Sequence, residues 1–382
     1  MSKRGENIYK RKDGRWEGRF ITGRTENGKI IYKSVYAKSY TEVKILLQEK
    51  RVEFQEKLHK KELETTIKET SLTNFLAEWL ESIRPKIKES SYIKYNSMIK
   101  HYIIPNIGEK KLSQISYSTL EDFTNQLLLE GGYHNSVLSS KTVNDTLMLL
   151  KSAFRYATNK YGIILCDFNQ ISYPRTEKQI RVFNQKEHEQ LISYLYSHNS
   201  FRNLGILLAL FTGIRVGELC ALTWENIHLD SGIITICQTM QRVENTEFKN
   251  RRTDMKTRVI ITSPKSHSSI REIPLPAFLI DLLKKTPHSE RGYFLSNSES
   301  SFIEPRNLQT HFKTVLKCAG IDNANFHALR HTFATRCVEL GFDIKSLSEV
   351  LGHANVNITL NKYVHPSMEL KRDNMEKLSQ LF

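Results

Sequence analysis

The sequence predicts a multidomain, mainly α-helical protein. A small β-sheet with one helix opens it, a four-helix domain follows, and a mixed α+β domain with a small antiparallel sheet ends it. Three observations carry this prediction. At 382 residues the chain exceeds what one ordinary hydrophobic core serves. Its apolar pattern has period two before residue 37 and a helical period after it. Residues 61–70 and 166–181 lose the pattern and read as linkers, which divides the chain into domains at 1–62, 70–166 and 180–382.

The first domain is strongly basic: residues 1–40 hold eleven Lys and Arg against four Asp and Glu. Asp13-Gly14 and Asn27-Gly28 are hairpin-turn signals. The segments Arg15–Ile21 and Lys29–Tyr36 alternate apolar with polar residues as half-buried strands do. Ser39-Tyr-Thr-Glu42 has the form of a capping box opening a helix to about Lys60. The expected product is a three-stranded sheet on one helix, its exposed strand faces carrying Arg and Lys with Trp and Tyr among them. Such a sheet can lie in a DNA major groove.

From Ser71 the helical period returns, with Leu72, Phe75, Leu76, Trp79, Leu80 and Ile83 on one face. Pro85 ends that helix. A second helix is expected over Ser90–Tyr102, stopped by Pro105 and Gly108. A third covers Ser118–Glu130, and a fourth covers Ser140–Lys160. In the last domain Asn184 and Glu187 cap a helix through Tyr196, and Gly205–Phe211 is an apolar helix core. Ile233–Gln238, Val259–Thr262 and Ile270–Ile273 read as strands of one sheet. Helices follow at Ala277–Lys285, Pro305–Ala319, His327–Leu340, Asp343–Leu351 and Pro366–Ser379.

The net charge of +15 and pI near 9.4 point to a polyanionic partner, and double-stranded DNA is the usual one. Five widely spaced cysteines without a Cys-x-x-Cys pair argue against a zinc site and suit reduced thiols in a cytoplasm. The first residues lack the apolar run of a signal peptide. No stretch approaches the roughly 18 consecutive apolar residues of a membrane span.

Six polar residues of the last domain stand out: Arg215 in Thr-Gly-Ile-Arg-Val-Gly-Glu-Leu, Lys265 in Pro-Lys-Ser, His327 and Arg330 in His-Ala-Leu-Arg-His-Thr, His353 after Leu-Gly, and Tyr363 ten residues later. A phosphodiester repels nucleophiles and has a poor alkoxide leaving group, so its cleavage needs charge neutralisation, a nucleophile and a proton donor. Arg215 and Arg330 can clamp the two non-bridging oxygens with planar forks that keep their charge. Tyr363 can attack through its phenol, and Lys265, on a turn between strands, can protonate the leaving oxygen. His327, one helical turn before Arg330, can share the phosphate and shuttle a proton, and His353 can donate to the same phosphate. The set calls for no metal or other cofactor. Taken singly each residue is ordinary: a lone tyrosine near a C-terminus usually packs, and Arg215 beside Glu218 could be a surface ion pair.

Together the motifs resemble the tyrosine recombinase, or phage-type integrase, family, whose members serve prophages and conjugative transposons. The resemblance covers most of the chain and meets no departure at a catalytic position; His331 also fits the family's His-x-x-Arg-His pattern. It implies an arm-type DNA-binding domain at 1–62, a core-binding helical domain at 70–166 and a catalytic domain at 180–382. It implies integration and excision of a mobile element through a 3′-phosphotyrosine at Tyr363 and a Holliday junction, without metal or ATP. Arg215 and Arg330 would stabilise the transition state, Lys265 would be the acid, His327 an acid/base, and His353 a phosphate ligand. Glu218 would orient the Arg215 region. Four protomers would assemble on core-type and arm-type sites, with residues after Tyr363 docking on a neighbour, and an excisionase and host DNA-bending proteins would accompany them. A type IB topoisomerase-like nicking-closing enzyme is the alternative within the enzyme class. A catalytically idle DNA-binding regulator is the alternative outside it, and that reading expects a missing Arg or Tyr.

Overall fold

The computed structural model describes residues 7–131, 137–166, 180–245, 256–264 and 267–363, with a few positions nearer the C-terminus. It forms two compact units, Met1–Thr176 and Glu177–Phe382. Among the described residues no helix is long and apolar enough to cross a membrane.

In the first unit, β1 (Ile8–Lys10), β2 (Trp16–Arg24) and β3 (Ile30–Ala37) form an antiparallel sheet in the order β1-β2-β3. Phe20 and Ile8 pack with Val43 and Leu47 of α1 (Tyr40–Glu69), whose N-cap Ser39 accepts from the Glu42 amide. Trp16 shares this inner face and rests edge-on against Tyr40, 5.2 Å between ring centroids. The expectation of an exposed Trp is therefore corrected: period two puts Trp16 on the same face as Phe20.

The outer face is organised by a carboxylate. Glu17, only 2% exposed, accepts from Arg19 Nε at 2.8 Å, Arg11 Nη1 at 3.2 Å and Ser34 Oγ at 2.7 Å. Arg11 and Arg15 lie over the Tyr36 ring and Arg19 over Tyr9. The Arg19 hydrogen bond, with further help from Ser34 and Arg11, outweighs desolvation and pulls the Glu17 pKa down to about 2.

Helix α1 runs unbroken through residues 61–69, which corrects the linker expectation. That stretch lacks an apolar stripe but also lacks Gly and Pro. Glu64 pairs with Lys68 one turn on at 2.6 Å, and Ile67 packs against the next core. The second core is closed by α2 (Leu72–Ile83), α3 (Glu89–Met98), α4 (Ile104–Ile107), α5 (Tyr117–Glu130) and α6 (Ser140–Tyr161), around Leu76, Trp79, Ile103, Phe123 and Phe154. Pro105 does not stop the second helix as expected. A π turn at Ile99–Ile103 carries α3 into α4 and leaves Pro105 at the start of a new segment, where its missing N–H costs nothing.

The second unit starts with α7 (Gln185–Ser197), closed by the expected reciprocal Asn184–Glu187 box. Helix α8 (Phe201–Thr212) is buried along Leu204–Leu210 and forms the centre of the core with Leu219, Phe294, Leu308, Phe312 and Leu329. Next come α9 (Val216–Ala221), β4 (Ile227–His228), β5 (Ile233–Ile236), β6 (Thr239–Glu244), β7 (Thr257–Thr262) and β8 (Arg271–Pro274). The helices that follow are α10 (Ala277–Lys285), α11 (Pro305–Cys318), α12 (His327–Glu339), α13 (Ile344–Leu351) and α14 (Val356–Tyr363). The single sheet expected here is two: β4-β5-β8 and the separate hairpin β6-β7. The run Ile233–Gln238 reads as one strand in sequence, but pairing with β8 ends at Ile236 and the chain then turns into β6. Alternation identifies a strand and is silent about its partner. Helix α14 was not anticipated; the expected 166–181 linker and Pro366–Ser379 helix fall mostly outside the described residues.

Glu17→Ala is expected to lower the stability of the N-terminal sheet by about 1–3 kcal/mol, the range for losing hydrogen bonds to a charged acceptor. Because the folded carboxyl titrates near 2, the natural protein's advantage over the variant should be complete above the unfolded value of about 4.3 and vanish as pH falls towards 2. Denaturant midpoints of both proteins across that window check this.

Candidate active site

Two helix C-termini and one carboxylate build the site. Helix α8 ends at Gly213 (φ 64°) and α13 at Gly352 (φ 65°), both left-handed. A Cβ at Gly213 would come 2.6 Å from the Phe333 ring, and one at Gly352 would press on the Arg271 side chain at 3.0 Å. The carbonyls that these ends leave without helical partners are taken by arginines. Arg330 donates to Gly213 O at 2.9 Å and Leu351 O at 2.7 Å. Arg215 donates to Gly352 O at 3.1 Å, and Arg271 to Val350 O at 2.5 Å. Carbonyl ends of helices carry partial negative charge, so they suit cations.

Glu218 fixes two of these cations. Its Oε1 accepts from Arg215 Nη1 at 2.7 Å, and its Oε2 accepts from Arg271 Nη2 at 2.9 Å and from the Arg215 amide at 3.0 Å. The Glu218 and Arg271 side chains are buried, while Arg215 keeps about a third of its surface (34%). Burial alone would raise the Glu218 carboxyl, but Arg271 and Arg215 outweigh it and hold the pKa below the ordinary value. Arg330 is 2% exposed; burial and then the charges of Arg215 and Arg271 lower its pKa. Three guanidinium groups thus share the site with a single carboxylate that pairs with two of them, and positive charge is in surplus.

Tyr363, at the end of α14, packs among Ala334, Cys337, Leu347 and Leu351. Its phenol oxygen lies 2.8 Å from His331 Nδ1. Burial raises the phenol pKa, while Arg330 and Arg215 pull it back. The His353 ring lies parallel to the Tyr363 ring, 6.5 Å between centroids, and its Nδ1 meets Thr359 Oγ1 at 2.8 Å. Desolvation, then Arg330 and Arg215, lowers the His353 pKa to about 3. His327 keeps a solvent-facing edge while its ring packs edge-to-face on His331, 4.5 Å between centroids. Desolvation of the packed part, with His331, Arg330 and Lys362, lowers its pKa to about 4. All three imidazoles are neutral at pH 7.

The structure brings Arg215, His327, Arg330, His353 and Tyr363 close enough for the charges of Arg215 and Arg330 to act on all three of the other groups; Lys265 lies outside the described residues. Arg330 is buried more deeply than a residue expected only to clamp phosphate. The pairing of Arg215 with Glu218 is half-buried rather than a surface contact. Sequence reasoning missed Arg271 and Thr359. Arg271 stands in a short strand with no motif around it, and Thr359 in a helix not anticipated. Among the described residues, no three His, Cys, Asp or Glu side chains are grouped to hold a metal ion.

Residues 181–369 match the phage integrase family, and residues 61–128 match the N-terminal SAM-like domain of phage integrases. A tyrosine recombinase XerC-like protein of Caldanaerobacter subterraneus subsp. tengcongensis is 30% identical over 94% of both chains. The transposase of transposon Tn916 from Enterococcus faecalis is 23% identical over 87% of this chain and 84% of its own. The fold matches the Tn1549 transposon integrase solved with transposon right-end DNA, at TM-score 0.65 and 20% identity, over 81% of this chain and all of that one.

Arg271→Ala is expected to destabilise the second unit by about 3–5 kcal/mol, as removal of one partner of a buried pair does. It leaves Glu218 with one cation and the Val350 carbonyl without its donor. Urea unfolding followed by tryptophan fluorescence measures this loss; Trp224 lies in that unit's core.

Proposed function

This chain belongs to the tyrosine recombinases of the phage integrase family, and from that premise we propose that it integrates and excises a mobile genetic element by cutting and rejoining DNA through Tyr363. The observation that carries this reading is the convergence of Arg215, Arg330, His353 and Tyr363, from four separate segments, on one cation-rich site with a single carboxylate. A site with surplus positive charge beside a phenol suits one oxyanion, a phosphodiester.

In the proposed reaction the Tyr363 oxygen attacks the scissile phosphorus and the 5′-oxygen leaves, giving a 3′-phosphotyrosine and a free 5′-hydroxyl. Arg215 and Arg330 neutralise the non-bridging oxygens in the pentacoordinate transition state. His353, its Nδ1 held by Thr359, offers Nε2 to the same phosphate. His327 exchanges protons at the exposed rim, and Lys265 protonates the leaving oxygen. The arginines supply the charge neutralisation that a metal supplies elsewhere, so no metal is required. The phosphotyrosine retains the energy of the broken bond, so rejoining to a new 5′-hydroxyl requires no ATP. The step is DNA strand transfer, and it separates this reading from an idle regulator.

The chain is further proposed to use residues 1–62 on arm-type sites, 70–166 on core-type sites and 180–382 for catalysis. Four copies exchange strands in pairs through a Holliday junction in the cytoplasm. Residues beyond Tyr363 bind a neighbouring copy, and an excisionase and host DNA-bending proteins set direction. Support for the arm-type role comes from the outer sheet face, where Arg11, Arg15 and Arg19 sit on Tyr36 and Tyr9.

Tyr363→Phe should bind attachment-site DNA as the natural protein does and form no covalent adduct on a nicked substrate that traps the intermediate. An adduct that survives denaturing electrophoresis in this variant would remove Tyr363 from the role. Deleting residues 1–60, which retains Ile67 against the helical core, should spare cleavage of an isolated core site and abolish integration on full-length attachment sites. Equal recombination by the shortened protein would remove the arm-type assignment.

A further inference from the structure

We propose that His331 is a further catalytic residue: its Nδ1 receives the proton of the Tyr363 phenol as that oxygen attacks phosphorus. This rests on the reading of Tyr363 as the nucleophile. A phenol must lose its proton to attack, and the six-residue set names an acid for the leaving group but no acceptor in contact with the phenol. His331 Nδ1 lies 2.8 Å from the Tyr363 oxygen, the one side-chain hydrogen bond that the phenol makes among the described residues.

The neighbours are poorly placed or unable to accept. Arg215 and Arg330 are donors only. The His353 Nδ1 is engaged with Thr359 Oγ1, and among the described residues no hydrogen bond joins its ring to the phenol. His327 packs on His331, one helical turn away on the same face of α12, and makes no hydrogen bond to Tyr363. His331 is half-buried and its accepting nitrogen requires the Nε2–H tautomer, which is assigned here from the contact with the phenol.

The groups facing His331 are His327 and Arg330 from its own helix, and Lys362 and Tyr363 from α14. Burial, Lys362 and Arg330 lower the His331 pKa to about 4, so the imidazole is neutral and its lone pair is free at pH 7. With the phenol itself raised by burial, proton transfer from it to the imidazole is uphill, and the tyrosine stays protonated. A DNA phosphate beside Arg330 offsets one of the charges that weaken the base.

The step balances. The phenol proton moves to Nδ1 and leaves an imidazolium with Nε2–H in place. The oxygen–phosphorus bond forms, the bond from phosphorus to the 5′-oxygen breaks, and that oxygen takes a proton from a separate donor, the role proposed for Lys265. On rejoining, the 5′-hydroxyl attacks phosphorus and gives its proton back to that donor, while the imidazolium returns its proton to the departing tyrosine oxygen.

The test measures single-turnover adduct formation by the full-length protein on a nicked duplex spanning the end of its own integrated element. His331→Ala and His331→Asn are compared, with thermal melting and DNA affinity as folding controls. Both should slow adduct formation by roughly 10²–10⁴-fold, the usual contribution of a general base. The loss should shrink as pH rises. A substrate with sulfur in place of the leaving 5′-oxygen needs no acid, so it should restore Lys265→Ala and leave His331→Ala slow. Natural rates in His331→Ala, full activity in His331→Asn, or rescue of His331→Ala by the sulfur substrate would each overturn the proposal. Peptide mapping of the natural protein's adduct separates the two levels: an adduct away from Tyr363 sinks the nucleophile reading itself, whereas an adduct on Tyr363 with an unaffected His331→Ala sinks only this inference.

Discussion

The ion pair between Glu218 and Arg271 is the interaction on which the rest of the site depends. It is buried on both sides, and each partner also holds something else. Glu218 fixes the side chain and the backbone amide of Arg215. Arg271 fixes the end of α13 through the Val350 carbonyl, next to the Leu351 and Gly352 carbonyls that receive Arg330 and Arg215. A shift of this pair would move the loop after α8 and the turn before His353 together. Glycine at 213 and 352 is the backbone counterpart of the same constraint, because a side chain at either position would strike Phe333 or Arg271.

With three guanidinium groups and one carboxylate in the site, two of the three paired with it, the site is left short of negative charge. Proteins ordinarily avoid that, since like charges at close range disfavour the folded state. Here the helix carbonyls absorb part of the repulsion, and the histidines contribute by remaining neutral. The remainder is a standing attraction for an anion. It is also pre-ordered, so little reorganisation is needed when charge develops on a phosphate, which is the condition under which fixed donors stabilise a transition state best.

Much of this was legible in the sequence. Caps such as Ser39 and Asn184 and the apolar face of α2 place helices because their physics is local. The spacing of His327, Arg330 and His331 places three side chains near one face of α12 for the same reason. What was not legible depends on partners far along the chain. Arg271 has no local signature, and its importance comes from Glu218 and Val350, 53 and 79 residues away. The split into two sheets depends on which strand β5 meets. The unbroken α1 was missed because its middle has no apolar stripe: helix propensity and a Glu64–Lys68 pair sustain it where periodicity is silent.

The same arrangement recurs in the N-terminal sheet, where nothing suggests cleavage, and the comparison separates binding from chemistry. Glu17 gathers Arg11 and Arg19 as Glu218 gathers Arg215 and Arg271. In both places one sequestered carboxylate holds two arginines in fixed directions, which lowers the rotamer entropy lost when a polyanion arrives. Only the second site adds a buried phenol in contact with a neutral imidazole. On the proposed reading, the difference between a surface that would hold DNA and one that would cut it lies in the few groups able to move a proton, and the arginine clusters are common to both.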